Sequence, residues 1–166
     1  MTVDVFAADE QKDEPVDTIR WVRLAKAVLD DEGLKGDVEL SMLFVDEQAI
    51  ADLNDRFLGE EGPTDVLAFP MDETLSEGGR SPDSGGTGPG VNPEPGEAPI
   101  MLGDIVICPA VAGRNALAAA RSYEDELALL VVHGLLHLLG MDHAEPEEAS
   151  AMQSRERELL GRHYQS

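Results

Sequence analysis

Eleven residues near the C-terminus, His133-Gly134-Leu135-Leu136-His137-Leu138-Leu139-Gly140-Met141-Asp142-His143, constrain this chain more than any other stretch. They hold three of its four histidines and overlap its longest apolar run, Leu127 to Met141. His133 and His137 stand four apart in what reads as a helix, a spacing that puts both imidazoles on one face, about one turn apart. Gly140 tolerates the left-handed conformation that ends helices, so the chain is expected to fold back and bring His143 to the same point. Three neutral imidazoles converging with a fourth position open is the arrangement that holds a catalytic zinc. Nickel, copper and iron also accept imidazole, so the residues favour zinc without excluding the others. The opposing reading, three core histidines, asks for a separate polar partner for each buried ring.

The chain's 166 residues suit a single domain spanning 1–166 and can bury a sizeable core. Hydrophobic residues make up 42%, which excludes a disordered chain, and aromatics only 4%, so Leu, Val, Ile, Ala and Met must build that core. The apolar run is too short to span a bilayer, and Met1 to Val5 shows no basic segment followed by an apolar one. Cys108 is the single cysteine, which excludes an intramolecular disulfide. A cytoplasmic protein with no membrane partner is the expectation. Thirty-four acids against twelve bases give a net charge of -22, which repels nucleic acid at long range. In a salty cytoplasm screening shortens that repulsion to a few ångströms, and net charge bounds encounter rates while saying little about the site.

Val3 and Val5 alternate with polar neighbours and suggest a first strand. Asp17 or Thr18 is placed to cap a helix running to about Asp31, with Ile19, Val22, Ala25 and Leu29 at helical spacing and Gly33 and Gly36 bounding its exit. Val38, Leu40, Met42 and Phe44 alternate as a strand. Asp46 caps the next helix, whose stripe is Ile50, Leu53, Asn54 and Phe57. Val66 to Phe69 reads as another strand, ended by Pro70. Residues 74–98 are crowded with Gly and Pro and have little to bury, which predicts a flexible surface loop. Ile100 to Cys108 is the most continuous strand-like run and is expected to lie centrally in a sheet. Pro109 suits the first turn of a helix carrying Val111, Leu117 and Ala120. Ser122, with Asp125 three residues on, starts the histidine helix, and Glu124 and Glu126 favour its positive end. Pro146, Glu147 and Glu148 open a last helix reaching Leu160. These elements predict an α/β (α+β) fold: one domain with a small mixed β-sheet packed by about five helices, and a zincin-like histidine helix near the C-terminus.

The spacing His-x3-His-x5-His, with Gly140 between the second and third histidines, is shared with metzincin-type zinc proteases. Those enzymes place a glutamate directly after the first histidine as general base. Here that position is Gly134, so peptide hydrolysis lacks its usual proton acceptor.

At this point the chain resembles a known family. His133 to His143 fits the H-G-x-L-H-L-x-G-x-D-H signature of the YbeY family, bacterial zinc-dependent endoribonucleases that mature ribosomal RNA. Leu53-Asn54 leads into Gly62-Pro63-Thr64-Asp65-Val66-Leu67-Ala68-Phe69-Pro70, similar to the family's P-T-D-V-L-S-F-P block. Leu102-Gly103-Asp104-Ile105-Val106-Ile107 is similar to its L-G-D-I block. The resemblance runs from about Val38 to Leu160, leaving out the Gly/Pro stretch. It implies a metal-dependent endoribonuclease specific for single-stranded RNA, acting on the 3′ end of small-subunit ribosomal RNA and in ribosome quality control. It also implies one Zn2+ per chain on His133, His137 and His143, and the small ribosomal subunit as partner, with DNA not expected.

The family often carries an arginine immediately before the glycine that precedes the Pro-Thr-Asp block, where this chain has Leu58 before Gly59. Arg56, two residues earlier, would point to nearly the opposite side of a continuing helix, and replaces that arginine only if the helix ends near Phe57. Thr64 and Asp65 are candidate substrate contacts, or ordinary turn and strand-entry residues. Asp142 is a candidate to orient a ligand histidine, or a turn residue after Gly140. Asp104, if buried, is expected to have a structural partner. Cys108 reads as a small buried hydrophobe, and His163, near a fraying end, is given no role. Two alternatives stand beside the nuclease. One is a non-catalytic assembly factor of the small ribosomal subunit with a structural zinc, although such sites usually take four protein ligands. The other is a metallopeptidase, against which Gly134 argues.

Overall fold

A computed structural model of the chain describes residues 3–33, 37–71, 100–140 and 145–164. Residues 74–98, the expected loop, lie outside the described residues, as do Gly36, Asp142 and His143. Four strands and five helices are described: β1 (Val3–Asp9), α1 (Thr18–Asp31), β2 (Val38–Phe44), α2 (Glu47–Leu58), β3 (Val66–Pro70), β4 (Ile100–Ile107), α3 (Pro109–Ala119), α4 (Tyr123–Leu138) and α5 (Pro146–His163). The strands form one mixed sheet in the order β1-β2-β4-β3. β1, β2 and β4 run parallel, and β3 lies antiparallel on the edge of β4. Parallel neighbours need crossover connections, which α1 supplies between β1 and β2. The α/β fold expected from the sequence is the one observed, with β4 interior to the sheet.

The helix starts follow their caps. Asp17 accepts from Arg20 N, Asp46 from Ala49 N and Ser122 from Asp125 N. Each cap satisfies a backbone donor that no helical carbonyl can reach. On one face of the sheet, Leu40, Met42, Phe44, Ile105 and Ile107 pack against Trp21 and Val28 of α1 and Leu127, Val131 and Leu135 of α4. On the other, Leu67, Val106 and Cys108 pack with Ile50 of α2.

Several side chains fall on other faces than the sequence pattern suggests. The buried stripe of α1 is Trp21, Leu24, Ala25, Val28 and Leu29, and Ile19 is 62% exposed. Trp21 sets that phase: its ring stacks on Tyr164 of the C-terminal segment, centroids 6.2 Å apart, with the Arg20 guanidinium 5.0 Å over both rings. The helix therefore turns its larger apolar payload inward. In α3 the small residues Ala112 and Ala116 face the core, and Leu117 is 84% exposed. Ala120 lies beyond the helix, in a left-handed conformation with φ 56°. Phe57 is exposed beside Phe69, an edge-to-face pair. Asp104 is exposed, so it needs no buried partner.

β4 contains a bulge that decides how the sheet meets the helices. Glu39 pairs with Met101 but Leu40 pairs with Gly103, so Leu102 is extra on its strand. Leu102 and Ile105 both enter the main core although three apart, which an unbroken period-two strand would not allow. Gly103 takes φ 136° there.

α5 runs past Leu160 to His163 and is held to the end of α1. Arg162 and His163 both reach Asp31, and Arg155 reaches Glu32 at 2.6 Å. Acids at a helix C-terminus oppose its dipole, and Arg155 and Arg162 of α5 offset that. Tyr164 adds a hydrogen bond to Asp125 Oδ1 at the start of α4. No helix among the described residues is long and apolar enough to cross a membrane.

Candidate metal centre

α4 carries the two described histidines of the motif in its last turns. Every residue from Val131 to Leu138 is buried except His133 and His137, which are half-buried. An apolar helix thus presents two imidazoles on its less deeply buried side. Their ring centroids are 4.8 Å apart and the planes cross at 72°. Gly140 has φ 99° and its N–H donates to His137 O, so the helix stops immediately after the second imidazole. His143 and Asp142, which follow, lie outside the described residues, and among the described residues no three candidate ligands converge.

Gly134 sits between the two histidines and against the sheet. A Cβ built there would lie 2.9 Å from Cγ2 and 3.2 Å from Cδ1 of Ile105. The absence of a side chain lets α4 approach β4 closely. It also leaves no room for the glutamate that a metzincin-type protease carries at this position.

The imidazoles open into a cleft of ≈ 330 Å3 between α4 and β3. Thr64 and Asp65 form part of its opposite wall, with Val66 to Phe69 continuing it and Leu58 at the rim. Asp65 is also tied into the fold. Its Oδ2 accepts from Asn115 Nδ2 at 3.2 Å, and its carbonyl accepts from Cys108 N at 2.9 Å. Asn54, buried on α2, donates to Gly62 O and so anchors the turn that delivers Thr64 and Asp65. α2 continues to Leu58, where Gly59 ends it with φ 69°. Arg56 is exposed on that helix and does not line the cleft, whereas Leu58 does.

Two buried carboxylates accompany the site. Glu126, seven residues before His133 on α4, has its carboxyl pushed up chiefly by burial; Arg121 opposes the shift and Asp65 adds to it. Glu156 of α5 is 6% exposed and hydrogen-bonds Nδ1 of His133. A carboxylate accepts, so the proton of that bond lies on Nδ1 and Nε2 is left as the nitrogen able to bind a cation. Two rings one turn apart, one of them with its inner nitrogen already engaged by a carboxylate, suit a divalent cation of the zinc type. Reasoning from the sequence did not single out Glu156. The signal was present: Met152, Glu156 and Leu159 share one buried face of α5, an acid interrupting an apolar stripe.

Comparison with known proteins places these features in context. The family model described as Endoribonuclease YbeY matches residues 6–164. An Endoribonuclease YbeY of Salinispora tropica is 50% identical over 145 residues, which is 87% of this chain and 87% of that protein. The one from Thermobifida fusca is 48% identical over 160 residues, covering 96% of this chain and 92% of its own length. The solution structure of TM1509 from Thermotoga maritima matches with a TM-score of 0.55 at 25% identity, over 97% of this chain and 91% of that one.

Proposed function

The chain belongs to the Endoribonuclease YbeY family, and from that premise we propose that it is a zinc-dependent endoribonuclease specific for single-stranded RNA. Its role in the cytoplasm is processing the 3′ end of small-subunit ribosomal RNA, with ribosome quality control, in contact with the small ribosomal subunit. The observation that carries this reading is the pair of half-buried imidazoles, His133 and His137, facing the Thr64–Asp65 wall across one cleft.

His133 and His137, with His143, are the proposed ligands of one Zn2+. When bound, such a cation polarises a phosphoryl oxygen and acidifies water. The protein's own part is to hold the ligands and to shape the cleft. Glu156 keeps Nδ1 of His133 occupied, and the stop at Gly140 keeps His137 on the last turn. Asp142 is proposed to orient a ligand histidine. The cleft is at the small end of ligand-site sizes, about 300–1,000 Å3. Thr64 supplies a hydroxyl to the RNA strand and Asp65 a carboxylate held by Asn115. Arg56, exposed outside the cleft, would meet the strand only beyond the site. With a net charge of -22, long-range attraction cannot hold RNA, so contacts inside the cleft must.

The test is cleavage of matched single-stranded RNA, double-stranded RNA and single-stranded DNA by protein freed of contaminating nucleases. The expected result is cutting of single-stranded RNA alone, abolished by a chelator and restored by Zn2+. Cutting that persists in full under chelation would contradict the metal-dependent reading. Metal-dependent release of peptides from an unstructured protein, with no RNA cut, would favour the peptidase.

A further inference from the structure

Glu156 lies 23 residues from His133 and on a different helix, yet its carboxylate reaches Nδ1 of that ring. At 6% exposure it is among the most deeply buried charged side chains described. An acid is costly to bury unless its oxygens are satisfied. Nothing in the packing of α5 asks for one there, since Met152 and Leu159 on either side are core residues. An apolar residue at this position would complete the stripe. The element that carries Glu156 is fixed at several points: Arg155 on Glu32, Arg162 and His163 on Asp31, and Tyr164 on Asp125. The carboxylate is therefore presented to the imidazole by a firmly docked helix.

Resting on the reading of His133 as a metal ligand, we infer that Glu156 is a positioning residue of the cation site. It holds the proton on Nδ1, fixes the rotation of the ring so that Nε2 faces the cleft, and makes the imidazole a stronger donor. The cation site is thus shared between α4, which supplies the ligands, and α5, which sets the state of one of them. Partners of this kind typically strengthen metal binding by about 10–100-fold.

The experiment measures the Zn2+ dissociation constant by competition with a chromogenic chelator for wild type, Glu156→Gln and Glu156→Ala. The melting temperature of each metal-free protein and the ring-nitrogen NMR signals of His133 are recorded alongside. Glu156→Gln retains an oxygen acceptor of the same shape without the charge, and guards against simple misfolding. The expected result is an affinity about 10–100-fold weaker in Glu156→Ala and intermediate in Glu156→Gln. The Nδ1–H tautomer should be present in wild type and lost in Glu156→Ala. Unchanged affinity in both variants, whether or not melting temperature falls, would show a merely structural carboxylate and overturn the inference. A wild-type protein that binds no Zn2+ would overturn the metal reading itself, and this inference with it.

Discussion

His137→Ala is expected to lose zinc at this site and to cut single-stranded RNA more than about 100-fold more slowly, since removing a ligand exceeds the usual cost of removing a ligand's outer partner. Its fold should survive. The ring is half-buried at the mouth of a cleft, and the residues around it, Leu136 and Leu138, are held by the core rather than by the imidazole. His133→Ala is the less informative variant, because it would also strand the buried Glu156 carboxylate, a loss of about 1–3 kcal/mol or more. The check is zinc content and cleavage rate together, with circular dichroism and the metal-free melting temperature as controls. A folded His137→Ala protein that keeps its zinc and its rate would remove the metal centre from the account.

The largest effect on stability should come from a glycine in β4. In Gly103→Ala the new Cβ would stand 2.2 Å from the carbonyl oxygen of Phe69 and 3.1 Å from the amide nitrogen of Met71, both backbone atoms that cannot swing aside. The backbone there also has φ 136°, which disfavours any L side chain. Strain and overpacking of about 1–3 kcal/mol each add to roughly 2–6 kcal/mol, a large part of the ~5–15 kcal/mol that keeps a domain folded. At about 2–4 °C per kcal/mol for a chain of this size, the melting temperature should drop by on the order of 10 °C. Because β3 is the edge strand displaced, and β3 is the far wall of the cleft, cleavage should weaken before the protein unfolds globally. Thermal melts and activity at low temperature check both parts. A Gly103→Ala protein as stable as wild type would mean that β3 does not pack on β4 as described.

Much of the framework is legible in the sequence because it is set locally. Asp17, Asp46 and Ser122 cap the helices they precede, and Val38 to Phe44 alternates in burial as its pattern suggests. The histidine motif, together with the Pro-Thr-Asp and Leu-Gly-Asp blocks, also pointed to the family. What escaped reading is set by partners distant in sequence. The phase of α1 depends on Trp21 meeting Tyr164, and the last turn of α5 on His163 meeting Asp31, contacts that helical spacing does not encode. Gly103 reads as one more glycine in a motif until β3 is laid against it. Glu156 reads as one acid among many in a chain of net charge -22, until α5 folds onto α4 and sets it against His133.

The most direct test of the central claim is anomalous X-ray scattering at the zinc edge from crystals grown with Zn2+. The account predicts one zinc in the cleft, held by His133, His137 and His143, with Nδ1 of His133 still bonded to Glu156. A zinc bound elsewhere, or a fully zinc-supplied protein whose cleft holds none, would contradict it.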